Sequence, residues 1–245
     1  MKFSYGAVWE DTLGLLRENA RLLAAIAGVF IFLPALLAAQ LLPPPETTDP
    51  NEIFRDMIEY YRGGWLWLTL QSLVGMVGSA AMLRLVLVRG TSVGDALSFG
   101  LMLLPFYFLL SLIGGLMIGF GILLLIVPGL YLIGRLTPAT ALMAAENRRN
   151  PIEVVSRSFA ITAGQGWAVF GLVFIVVVVA GILILVVTML TAVVFILAAG
   201  QELGGLLSAI VSSAVSAAFA TLLLVLDAAI YRALTGHASA AATFE

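Results

Sequence analysis

Cysteine is absent from all 245 residues, histidine occurs once, and only 11% of positions are charged. Without thiols there are no disulfides, no thiolate metal centres and no cysteine nucleophile. The single imidazole, His237, lies in the C-terminal tail, so histidine-based proton transfer within a core is excluded as well. Lysine is nearly missing: eleven of the twelve basic residues are arginine, a bias in keeping with a GC-rich bacterial genome. The net charge of −2 carries no mark of a nucleic-acid partner. No paired carboxylates lie inside an apolar run, and neither a metal nor a cofactor is expected.

What the chain does contain is apolar. Hydrophobic residues make up 62% of it and the mean hydropathy is +1.11, against about 45–50% apolar and about 25% charged in ordinary soluble domains. So few polar groups cannot cover 245 residues with a water-compatible surface. Lipid is therefore the expected solvent for most of the exterior.

A hydrocarbon layer roughly 30 Å thick takes about 20 helical residues to cross. Runs of that kind cover 22–42, 65–88, 101–127, 128–145, 167–199 and 203–226. The third and fourth touch at Val127-Pro128-Gly129, where a missing backbone donor and a flexible glycine predict a tight hairpin. The fifth run is longer than one perpendicular crossing needs. Tilt, a bend near Gly181 or an interfacial end each accommodate the excess. The leading segment carries Glu10, Asp11 and Glu18, which does not fit the basic start of a signal peptide.

With six spans and a cytoplasmic N-terminus, ten basic residues fall inside: Lys2, Arg17, Arg21, Arg84, Arg89, Arg135, Arg148, Arg149, Arg157 and Arg232. Only Arg55 and Arg62 fall outside. The positive-inside rule then puts both termini in the cytoplasm.

The polar stretches between runs carry helix signals. In "NRRNPIEVVSRSF" (147–159), Asn150 reads as N-cap, Pro151 as the first helical residue and Glu153 as its capping partner. Ile152, Val155, Phe159 and Ala163 follow at helical spacing, the pattern of an amphipathic helix lying along the membrane surface. Tyr5, Trp9, Leu13 and Leu16 make a similar stripe ahead of the first run, and "RGTSVGDALSFG" (89–100) a weaker one ahead of the third. Tyr5, Val93 and Ile152 each precede an apolar position within a run (Leu22, Leu110, Val169) by 17 residues. The expected architecture is a single all-α membrane domain, 1–245, of six transmembrane helices in three hairpins. A cytoplasmic interfacial helix precedes each hairpin, with repeat units 1–88, 89–145 and 146–232. Interfacial helices without repetition are the alternative.

The external loop, 43–64, begins with prolines. It then offers Asp49 as cap, Pro50 and Glu52 in the first turn, an apolar stripe of Ile53, Met57 and Tyr60 or Tyr61, and Gly63-Gly64 as a stop. It reads either as a helix capping the bundle or as a docking helix for an envelope protein.

"LLLIVPGLYLIGRLTPATALMAAENRRNPIEVVSRSF" (123–159) resembles the membrane-domain family named after glycerophosphoryl diester phosphodiesterases and the related YciC-like bacterial inner-membrane proteins. Pro128, Gly129, Tyr131, Arg135, Pro151, Ile152, Glu153, Ser158 and Phe159 carry the likeness. It implies a membrane module in the bacterial inner membrane. It does not bring the hydrolase activity, which needs metal-binding carboxylates and histidines that this chain lacks.

Ionisable groups at membrane depth are functional candidates. Here they are Arg84, Arg135, Asp227 and Arg232, expected as a cytoplasmic polar cluster in which Asp227 pairs with Arg135 or Arg84. The cluster reads either as a structural pair or as contacts for a lipid headgroup. Gln71 is suited to a hydrogen bond across helices. Gly204, Ser208, Ser212, Ser216 and Ala220 recur every fourth residue beside Gly205, Ala209, Ser213, Ala217 and Thr221. They form a small-residue face for close helix packing, within the molecule or between copies. The runs lack the midplane carboxylates that coupled transport of a polar solute requires. Two functions follow as expectations. The leading one is a non-enzymatic inner-membrane protein acting in envelope integrity or partner binding. The alternative is a transporter component that handles a lipid or other amphiphile.

Overall fold

The computed structural model describes residues 3–42 and 49–236, and among these the only regular structure is helical. Helix α1 runs Tyr5–Leu41 and contains one π-helical turn, Gly28–Phe32. Next come α2 (Pro50–Leu87), α3 (Val93–Leu124), α4 (Ile126–Leu136), α5 (Ala139–Glu146) and α6 (Pro151–Ile161). The last stretch, Gly166–Thr235, is broken at Gly200 by a backbone at φ 80°, ψ 177°, giving α7 (166–199) and α8 (201–235). The chain thus supplies five to six long apolar helices fit for a membrane, with α4 and α5 together making the shortest crossing.

Each boundary has a local cause. Ser4 caps α1 through Ala7, Ser92 caps α3 through Asp95, and Asn150 caps α6 through Ile152. The turn between α3 and α4 falls at Leu125, which is extended, and not at Val127-Pro128. Pro128 sits inside the first turn of α4, where its missing N–H costs nothing, and Gly129 packs against Ile122 of the preceding helix. No break occurs at Gly181, where a bend is one of the three expected ways for the fifth run to use its excess length. The helix is interrupted at Gly200, in the gap between the fifth and sixth runs. Gly181 is ordinary helix, whereas Gly200 occupies a region of φ/ψ space that only glycine enters freely.

Two further expectations are corrected and a third is not confirmed. First, the segments ahead of the first and third runs are not separate helices but the opening turns of α1 and α3. Nothing at 17–22 or 100–101 interrupts the backbone hydrogen bonding, so helix simply propagates. Second, Gly63-Gly64 does not stop a helix, and α2 passes straight through both. The residues 43–48 of the external loop, with Lys2 and His237, lie outside the described residues. Third, a grouping into three separate hairpins is not confirmed by the packing. The broadest contact of α2 is with α3, where Gly100 lets α3 approach the carbonyl of Val77.

At 37 residues α1 is about 55 Å long, well beyond the roughly 30 Å of hydrocarbon, so its first turns stand clear of the bilayer core. They are tied down there. Val8, Thr12, Leu15, Leu23 and Ile26 are buried against the rest of the protein. The core as a whole gathers at this end, from Ala80–Val86 of α2, Ala96–Leu110 of α3, Ala139–Ala144 of α5 and Leu224–Tyr231 of α8. Towards the other end the side chains of α1, α2, α3, α7 and α8 are mostly exposed, Leu41, Leu66, Leu124 and Leu197 among them. The bundle is tight where the arginines lie and spread where they do not.

Gly200→Ala is expected to cost about 1–3 kcal/mol, because the left-handed backbone there excludes a Cβ. Gly181→Ala, in open helix, is expected to be neutral or slightly stabilising. Thermal unfolding of the two variants in detergent, followed by circular dichroism, compares them directly.

Candidate functional site

The arginines chosen from the sequence are all drawn to the tight end, but by partners other than Asp227. Arg135, in the last turn of α4, donates to the carbonyls of Phe159 (2.6 Å) and Thr162 (3.1 Å) and to the Tyr131 hydroxyl (3.3 Å). Its guanidinium lies over the Phe159 ring, 4.7 Å from the centroid. In return Ser158 donates to the Arg135 carbonyl at 2.7 Å. Those carbonyls belong to the end of α6, which has no intrahelical donors for them. A cation there also meets the negative end of the helix dipole. Arg84 does the same for α5, donating to the Ala144 carbonyl at 3.1 Å while resting over Phe99 at 4.6 Å. The expected pairing of Asp227 with Arg135 or Arg84 is therefore corrected: both guanidiniums serve helix ends. Asp227 lies beside Thr140 of α5 and near Tyr107 of α3. The Thr140 hydroxyl runs alongside without making a hydrogen bond. Arg232 has an acid of its own, Asp11 of α1, at 3.3 Å.

One centre escaped the sequence reading. Glu146, the last residue of α5, takes Arg148 at 2.6 Å, Arg157 at 3.7 Å and the Tyr231 hydroxyl at 3.3 Å. Arg148 also reaches Glu153 at 3.7 Å. The hydrogen bond and charge of Glu146 push the Arg148 guanidinium above its ordinary pKa, so it remains charged. Glu146 thereby links α5, the turn, α6 and α8. The spacing of Glu146, Arg148 and Glu153 was visible, but their convergence on Tyr231, 85 residues away, was not.

The polar helix α6 also turns a different face inward. Ile152 is 71% exposed, while Pro151, Val154, Ser158 and Thr162 are buried. The buried stripe is thus one residue out of step with the apolar one. The reason is chemical. Ser158 and Thr162 have their hydroxyls satisfied, by the Arg135 carbonyl and by the Ser158 carbonyl (2.6 Å), so burying them is cheap.

The small-residue face of α8 is offset in the same way. Gly204 is buried against Phe195 and Ile196 of α7, but Ser208, Ser212 and Ala220 are only partly covered and Ser216 is exposed. The neighbouring ladder is the better buried one, at Ser213, Ala217 and Thr221.

Small side chains on α8 leave room on either side of α1. One space is a groove of about 600 Å³ between α1 and α8, lined by Ala24, Gly28, Phe32, Ala214 and Ala217, with Arg17 at one end. The other is a cavity of about 930 Å³ in the spread half, bounded by α1, α2, α3 and α8. Phe30, Trp65, Phe108 and Met76 wall it, and Gln71, Ser72 and Ser216 are among its polar groups, with Tyr61 and Thr69. The hydrogen bond expected from Gln71 to another helix is not made. Among the described residues its amide has no protein partner. Ser72 donates to the Leu68 carbonyl at 2.8 Å and keeps its lone pairs free towards the cavity. No group of three His, Cys, Asp or Glu able to hold a metal exists among the described residues.

Arg135→Gln is expected to cost about 2–3 kcal/mol, since two carbonyls lose a charged donor. It should also speed amide exchange through α6 and the turn after it. Combined with Asp227→Asn, the effects should add within about 0.5 kcal/mol, because the two side chains share no contact. A coupling well above that in a double-mutant cycle would restore the ion pair.

A scan of protein-family models, a search of curated proteins and a search of solved structures each find no match for this chain.

Proposed function

We propose that this is a non-enzymatic membrane protein that receives an amphiphile, a lipid or a lipid-like molecule, in the cavity between α1, α2, α3 and α8. The observation that carries the reading is Gln71. Its amide opens on a largely apolar space of about 930 Å³, within the usual range of about 300–1,000 Å³ for ligand pockets. An amide in apolar surroundings without a partner costs about 1–3 kcal/mol by protein measurements. An occupant with one hydrogen-bonding group and an apolar body removes that cost, and Ser72 of α2 and Ser216 of α8 line the same space.

A partner-binding role has one observation of its own. The opening turns of α2 expose Phe54 (79%), Ile58 and Tyr61 on one face, the kind of surface that an envelope partner would cover. It stands second because nothing in that face selects a ligand. The arginine-bearing end is assigned to the cytoplasm and the membrane to the bacterial inner membrane. The first rests on the charge asymmetry, the second on the family resemblance. The start of α1 and the end of α8 both pack at that end, which supports an even number of crossings.

Two measurements test this reading. Gln71→Leu and Ser72→Trp should cut the lipid that stays with the detergent-purified protein, read by native mass spectrometry, several-fold and nearly completely, respectively. Retention equal to wild type in both variants would remove the cavity from the mechanism. For orientation, the chain has no native cysteine. Single cysteines at positions 55 and 149 should therefore label from opposite sides of the membrane.

A further inference from the structure

The groove between α1 and α8 has a different chemistry from the cavity, and it points to a particular class of lipid. Its walls are alanines, a glycine and aromatic or aliphatic side chains, and apart from Arg17 at its end Thr221 is the one hydrogen-bonding side chain among its lining residues. The Thr221 hydroxyl is already committed to the Ala217 carbonyl at 2.8 Å. Along most of its length the groove has nothing to offer but van der Waals contact.

Its end is the opposite. Arg17 lines the mouth, and Arg21 lies one helical turn further along α1 on the same side. Both are exposed. Among the described residues neither guanidinium is within ion-pair distance of an acid. This sets them apart from five other arginines at that end of the molecule, though not from Arg89 and Arg149, which among the described residues also lack an acid. Arg84 and Arg135 hold carbonyls, while Arg148, Arg157 and Arg232 hold carboxylates. Arg17 and Arg21 also stand just before the first uncharged run of α1, which begins at Leu22, and so at headgroup level.

The length fits as well. From Arg17 to Phe32 the helix rises about 22 Å, and half of a roughly 30 Å hydrocarbon layer is about 15 Å. A molecule with its phosphate at the two arginines can therefore lay one acyl chain along the groove through the whole depth of its leaflet. We infer that the groove is a binding site for an anionic phospholipid, with Arg17 and Arg21 gripping the phosphate and the alanine-lined wall of α1 and α8 holding a chain. Arginine suits this role because its planar fork takes two phosphate oxygens at once. This site is separate from the cavity at Gln71 and does not require it.

The test is competitive retention. The intact protein is reconstituted in an equimolar mixture of phosphatidylcholine and phosphatidylglycerol, extracted in mild detergent, and its bound lipid is identified by native mass spectrometry. Wild type should retain phosphatidylglycerol in several-fold excess over phosphatidylcholine, and Arg17→Gln/Arg21→Gln should bring that ratio to about one. Arg89→Gln/Arg149→Gln removes the same charge from exposed positions at the same end and should leave the ratio unchanged. Ala24→Phe, which blocks the groove, should reduce total retention with both arginines present. Gln71→Leu should leave the phosphatidylglycerol preference intact, so failure of the cavity reading and failure of this one are separable. Persistence of the preference in Arg17→Gln/Arg21→Gln would overturn the inference. So would equal loss in Arg89→Gln/Arg149→Gln, which would mean general surface charge. Circular dichroism and gel filtration identify any variant that fails to fold.

Discussion

Backbone polar groups in hydrocarbon have no water to turn to, so each must find a partner inside the protein. Most of this structure can be read as the working out of that one constraint. Long helices satisfy their own interiors. What needs explaining is the set of places where helices end, because several carbonyls are orphaned at each end. Arg84 attends to the end of α5 and Arg135 to the end of α6. Thr137, Thr162 and Thr235 fold back to carbonyls four residues earlier. Not every arginine of this chain is therefore a surface charge. Two of them replace the water that the helix ends would otherwise need, and this is why they are unavailable to Asp227.

The same economy shapes the packing. Lipid is as apolar as leucine, so helices associate through close fit and not through exclusion of solvent. Where backbone meets backbone, glycine stands at the contact. At Gly134 an added Cβ would strike the carbonyl of Gly166, at the start of α7. That contact sits one residue from Arg135, so the close approach of α4 to α7 and the capping of α6 are consequences of a single short stretch. Away from this end no such clamps recur at the same density, the helices diverge, and large side chains such as Leu124 and Leu197 face outward. A bundle fastened at one end and loose at the other is bound to contain open space. The small residues of α8 decide where that space falls.

How far the chain could be read before its structure follows from this. The class was legible because 11% charge leaves no alternative to lipid. The caps at Ser92 and Asn150 were legible because capping chemistry is local. The inward faces were not. Periodicity counts apolar residues, and it selects Ile152, Val155 and Phe159 of α6. The structure buries Val154, Ser158 and Thr162, since a hydroxyl with an internal acceptor is as readily buried as a methyl group. Likewise Tyr5 and Trp9 lead the apolar stripe of α1, yet Val8, Thr12 and Leu15 are the buried positions. Both errors are a rotation of one residue, and both come from partners distant in sequence. The arginines were rightly picked out as unusual, but their acceptors are carbonyls, which no sequence pattern marks. The break at Gly200 falls in the short gap, 200–202, between the fifth and sixth apolar runs, so its place was legible; the positive φ of that glycine was not.

The π turn of α1 is where these threads meet. Such turns carry an extra residue and are common where a helix serves a site. Here Gly28 and Phe32 face the groove while Phe30 and Ile31 face the cavity. Across from them α8 presents Ala217 and Ala218 to the one and Ser216 and Ala220 to the other. The two spaces are thus divided by a single wall, made of one widened helical turn against one stretch of small residues, with Phe30 lodged against Gly78 of α2. Residues this small can neither fill the volume beside them nor brace the turn that faces them. The width of each space is therefore set by the same few side chains. Groove and cavity are both shaped by this stretch of α1 and α8 and not by the arginine cluster.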